Sequence, residues 1–75
     1  MDFNYKPMYM TREATESHIE AIDREDRALF DVPGDVLSYT TAMEIHNHLL
    51  VLKQQLVQDI HYFNAIDRAM EEAVK

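Results

Sequence analysis

The stretch Ile45-His46-Asn47-His48-Leu49-Leu50-Val51-Leu52-Lys53-Gln54-Gln55-Leu56-Val57-Gln58-Asp59-Ile60-His61-Tyr62-Phe63 decides the fold. Apolar residues recur at Ile45, Leu49, Leu52 and Leu56, then at Phe63, Ile66, Met70 and Ala73. Their spacings alternate between four and three, the period of one face of a helix. A second stripe, Met43, Leu50, Val57 and Ile60, lies beside the first. Together they form an apolar face wider than a two-stranded coiled-coil seam, which suits a helical bundle.

Upstream, Phe30-Asp31-Val32-Pro33-Gly34-Asp35 is the strongest turn signal in the chain. Pro33 disfavours helical geometry at Val32, and Gly34 allows a positive φ. The long helix is therefore predicted over 35–73, with Asp35 as its N-cap. Thr41 competes as a start, because Thr41-Ala42-Met43-Glu44 has capping-box spacing. Before the turn, a shorter helix is predicted over 11–29, capped by the Thr11 hydroxyl. Ala14, His18, Ala21, Ile22 and Leu29 share one side of it, a thin face that needs a packing partner. Residues 1–10 hold Phe3, Tyr5, Met8, Tyr9 and Met10 around Pro7, too many large apolar groups for a solvated tail. They read as an extended arm that docks on a helix.

The expected fold is thus all-α: one domain over 1–75, divided into an arm (1–10), a short helix (11–29), a turn (30–34) and a long helix (35–73). One glycine and two prolines are too few punctuators for an all-β chain. At 1.5 Å per residue the long helix measures about 58 Å and the short one about 28 Å. Folded back through a short turn, the short helix covers only the first half of its partner. Leu56, Val57, Ile60, Phe63, Ile66 and Met70 are then left bare, at roughly 1.5–3 kcal/mol for each side chain not buried. The arm or a second chain has to cover them. A homodimer or higher helical-bundle oligomer is expected, with those six residues and Tyr9 at the interface.

Composition narrows function. The 75 residues carry 14 Asp and Glu against 7 Lys and Arg, a formal net charge of -7. Such a chain is poorly suited to displacing counterions from nucleic acid or to binding anionic membranes. No apolar run approaches the roughly 18 residues of a membrane span. The N-terminal residues lack a basic segment followed by an apolar one, so a non-secreted, cytoplasmic protein is expected. There is no cysteine, hence neither a disulfide nor a Cys-based zinc site.

Candidate chemistry is sparse. His46 and His48 are two apart, so on a helix they point in different directions and cannot chelate one ion. No Glu-x-x-His pair of the di-iron kind occurs. No metal and no cofactor is expected. Ser17 and Ser38 lie in no nucleophile-elbow context, and one glycine excludes phosphate-binding loops. Asp59 occupies a seam position among Leu52, Leu56, Phe63 and Ile66. A buried carboxylate is costly, and Ile60 is a ready substitute on the helical wheel, so Asp59 is expected at the seam's edge in water. The opposite expectation makes it a register-setting or partner-contacting group.

Three function classes follow. The leading one is a non-enzymatic, self-associating helical protein that binds and modulates a larger protein. A second is an acidic decoy, in which Glu13, Glu16, Glu20, Asp23, Glu25 and Asp26 occupy the basic groove of a nucleic-acid-binding enzyme. Inhibitors made by viruses or mobile elements have this size. A third is a small-ligand binder with a site between subunits lined by His48, Gln55, Asp59 and Tyr62.

Overall fold

The computed structural model describes residues 5–74. It is all-helical: α1 spans Arg12–Leu29 and α2 spans Tyr39–Val74, packed against each other as an antiparallel hairpin. Among the described residues there is no strand. The molecule is a rod of 60 × 19 × 14 Å, whose long axis is that of α2. Phe3 and the rest of 1–4 lie outside the described residues.

α1 starts where its cap dictates. The Thr11 hydroxyl accepts from the Ala14 amide at 3.2 Å, while its carbonyl receives both the amide and the hydroxyl of Thr15, at 3.3 and 2.9 Å. That second bond satisfies the Thr15 hydroxyl, and Thr15 is fully buried. With Ile22 it forms the part of the core that α1 supplies; Ala42 and Leu56 are the apolar part from α2.

α2 starts later than expected. Asp35 does not cap it. Pro33 instead gathers the amides of Val36 and Leu37 on its carbonyl, at 2.9 and 3.0 Å, closing a separate turn. Ser38 is the cap: its hydroxyl accepts from the Thr41 amide at 3.2 Å. The rival start at Thr41 falls inside the helix. Gly34 takes no positive φ, so its freedom is not what shapes the turn.

These shifts alter the register of the hairpin. The connection covers 30–38, not 30–34, and runs beside the first turns of α2. The Phe30 ring consequently meets His46, with centroids 5.8 Å apart. Asp26 reaches His46, Asp23 reaches Lys53 and Arg12 reaches Asp67. α1 therefore lies along the middle of α2, and the expectation of a bare second half is corrected. Leu56 is fully buried, and Ile60, Phe63 and Ile66 are half-buried within one chain. Only Val57 and Met70 of that set are exposed. Leu56 is thus a core residue of the hairpin and not an inter-chain anchor.

Two substitutions test this description by chemical denaturation. Ser38→Ala is expected to cost about 0.5–2 kcal/mol, the usual loss of a cap. Gly34→Ala is expected to be neutral or to stabilise by about 0.4–1 kcal/mol, since an added methyl meets no atom within 4 Å. A stabilising Ser38→Ala, or a clearly destabilising Gly34→Ala, would contradict the assigned start of α2 and the turn before it.

Candidate functional site

Asp59 is the most demanding group in the molecule. Its carboxylate is fully buried, so the expectation of an edge position in water is corrected. The cover comes from residues 5–9, which bend back over α2 instead of running on as an extended arm. The Tyr5 hydroxyl donates to Asp59 Oδ1, and the Met8 amide donates to Oδ2 at 3.0 Å. Gln55, one turn earlier on α2, donates from Nε2 to Oδ1 at 3.3 Å and to the Tyr5 oxygen at 3.1 Å. Both carboxylate oxygens are thereby satisfied by neutral donors, which lowers the cost of burying them.

The Tyr5 ring lies against Tyr62 with centroids 4.7 Å apart, and Tyr62 meets Phe63 edge-on at 5.9 Å. Hydrogen bonding to Asp59 raises the Tyr5 pKa above 10.0, helped by burial and by the nearby negative charge. Tyr9 is engaged in the same way with α1: its hydroxyl is 2.9 Å from His18 Nδ1, and the two rings meet edge-on. Tyr9 is half-buried within its own chain.

Of the candidate ligand residues, Gln55, Asp59 and Tyr62 do come together, but Tyr5 fills the space between them. His48 is elsewhere, lining a shallow groove with Glu44, Ile45, Asn47 and Val51. The acidic stripe is also divided. Asp23 pairs with Lys53 at 2.7 Å and Asp26 with His46 at 2.6 Å, both inside the hairpin. Glu13, Glu16, Glu20 and Glu25 remain exposed. These pairs are part-exposed, and solvent-screened pairs contribute about 0–1 kcal/mol each, so they orient α1 more than they stabilise it. Among the described residues no three His, Asp or Glu side chains gather as a metal site. No helix there is long and apolar enough to cross a membrane.

Two apolar surfaces stay open. One is a flank of α2 beside its contact with α1, where Leu50 is 43%, Val51 67% and Val57 38% exposed; Leu50 also borders a small cavity with Ile22, Asp23 and Asp26 of α1. The other is the closed end of the hairpin, where Phe30 (48%), Val36 (74%) and Tyr39 (72%) face water. Sequence reasoning passed over this end because Phe30 falls in the turn and Val36 and Tyr39 lie off the apolar stripes of α2.

The chain matches no protein-family model, no curated protein and no solved structure.

The alkaline side of the stability profile tests the carboxylate cluster. Tyr5→Phe keeps the ring but removes the donor, and is expected to cost about 1.5 kcal/mol at neutral pH, the low end for a hydrogen bond to a charged group. Because the folded pKa is the higher one, this contribution is complete below the unfolded tyrosine pKa near 10. It fades as pH rises from there through the folded value. Urea melts of parent and Tyr5→Phe should therefore differ at pH 7 and converge in strong alkali. A constant difference across that range would show that the hydroxyl does not donate to Asp59.

Proposed function

We propose that this is a non-catalytic helical interaction protein that pairs with a second copy of itself through the open flank of α2. The observation that carries this reading is the partial exposure of Leu50, Val51 and Val57 on a flank of α2 that α1 covers only along one edge. A shallow groove there is lined by α2 residues alone, Leu50, Val51, Lys53, Gln54, Gln55, Val57 and Gln58. Met43, Leu50 and Val57 recur every seven residues, with Asn47, Gln54 and His61 between them. That is a heptad seam of which half is polar. Polar seam positions restrict register at a cost in affinity.

Magnitudes set the strength of the contact. Full burial of a Leu or Val is worth roughly 1.5–3 kcal/mol, and these residues are already part-covered. Association costs an estimated 4–15 kcal/mol in lost freedom. A few such residues from each copy leave a small surplus, so the pairing is reversible and depends on concentration. A two-fold arrangement of α2 against α2 uses the same patch twice and closes on itself. Tyr9, Leu56, Phe63 and Ile66 serve the fold of each copy, and Val57 is the residue of the expected interface set that also serves the pairing.

Light scattering over a concentration series tests the reading. The parent mass should climb towards twice that of the chain as concentration rises. The double variant Leu50→Lys, Val57→Lys should stay at one chain throughout, with the helical circular dichroism of the parent. A parent that remains a single chain at about millimolar concentration, where a binding energy of only about 4 kcal/mol suffices, would end the proposal. So would a variant that associates as well as the parent.

A further inference from the structure

Beyond self-pairing, the closed end of the hairpin carries a second surface with its own chemistry. A groove of about 330 Å³ opens between the last turns of α1 and the start of α2, lined by Glu25, Ala28, Leu29, Val32, Ile45 and Leu49. Ile45 also borders the neighbouring shallow groove with Glu44 and His48, so its side chain stands on the ridge between the two. Phe30, Val36 and Tyr39 extend the apolar surface around the tip.

Charge at this end is predominantly negative. From Ala28 to Leu52 there is no Lys or Arg, whereas Asp31, Asp35 and Glu44 fall within that stretch and all three are exposed. Glu25 adds a carboxylate on the groove wall. Two cations, Arg24 and Arg27, stand exposed on α1 nearby, and Arg27 Nε donates to the Asp23 carbonyl at 3.4 Å; the carboxylates outnumber them. An apolar slot rimmed by carboxylates rejects acidic segments through like-charge repulsion and attracts cationic ones. Towards the opposite end of the rod, residues 5–9 lie over α2 and Arg12 pairs with Asp67.

We infer that this groove docks a cationic amphipathic helix of a larger protein, its apolar anchor seated between Leu29 and Ile45 and its Lys or Arg residues against Glu25, Asp31 and Glu44. The mode is an amphipathic helix laid into an apolar groove, read by anchors three and four residues apart. The inference is independent of the pairing face, because Leu50 and Val57 do not line this groove.

The test is a titration of the full chain, followed by the methyl resonances of Leu29, Val32, Ile45 and Leu49. The probe is a synthetic 15-residue peptide of Leu and Lys, patterned with Leu on one helical face. A scrambled peptide of the same composition serves as the control. Saturable shifts of these methyls by the patterned peptide are expected, with binding at least about tenfold weaker for the scrambled one, because the anchors then lose their common face. Glu25→Lys with Glu44→Lys should weaken the patterned peptide about tenfold or more, and moderate salt should weaken it further. The double variant Leu50→Lys, Val57→Lys should bind it unchanged, which separates failure here from failure of the pairing. Equal binding of the two peptides would overturn the inference, leaving only attraction between opposite charges. Methyl shifts that follow protein concentration alone would overturn it in favour of a second copy. Shifts produced by Phe3→Ser with none on titration would overturn it in favour of the chain's own first residues.

Discussion

A carboxylate on the apolar side of a long helix has to be taken out of water, and the way Asp59 is satisfied organises the rest of the rod. An ionised group left unpaired in an apolar setting costs several kcal/mol. Here the donors come from the start of the chain, in the Tyr5 hydroxyl and the Met8 amide, and from Gln55 on the same helix. The carboxylate thus acts as a hook for residues 5–9. Once hooked, that segment shields Tyr62 and carries Tyr9 to His18. Thr11 then begins α1 beside the far part of α2, where Arg12 meets Asp67. The polar contact sets the position of α1, and burial of Thr15, Ile22 and Leu56 supplies the apolar part of the packing.

Function follows from what that position leaves over. Drawn towards the far part of α2, α1 leaves the tip of the hairpin to a connection rich in apolar and acidic side chains. A single helix can cover only one side of another, so a flank of α2 also stays open. The two surfaces differ in character. The flank of α2 mixes Leu50 and Val57 with Asn47, Gln54 and His61, which favours a weak, register-specific contact with a like surface. The tip combines a slot with carboxylates of one sign, which favours an unlike, cationic surface.

The sequence conveyed the helical elements well. The four-three spacing from Ile45 to Ala73 marks α2, and Thr11 marks the start of α1, because a helical period and a cap are local properties. The start of α2 was harder to read. Asp35, Ser38 and Thr41 are all competent caps, and the choice among them rests on Pro33 accepting the Val36 and Leu37 amides, a detail of turn geometry. Misplacing that start by a turn moved α1 along α2 and left Leu56, Phe63 and Ile66 bare on paper. The Asp59 site was harder still. Two of its three donors, Tyr5 and Met8, lie more than fifty residues away in the chain, and no local pattern pairs a tyrosine near the N-terminus with an aspartate in a heptad seam. Thr15 escaped notice because a threonine inside a helix reads as surface until its hydroxyl is seen to bond back to the Thr11 carbonyl.

Hydrogen exchange at the Met8 amide tests the central interaction most directly. Met8 lies outside both helices and its side chain is exposed, so no backbone ladder can protect its N–H. If that N–H is held by Asp59, it should exchange almost as slowly as the amides in the middle of α1, and Asp59→Ala should release it. Exchange at the rate of an open coil in the parent protein would mean that the hook is not formed, and with it the register of α1 would lose its cause.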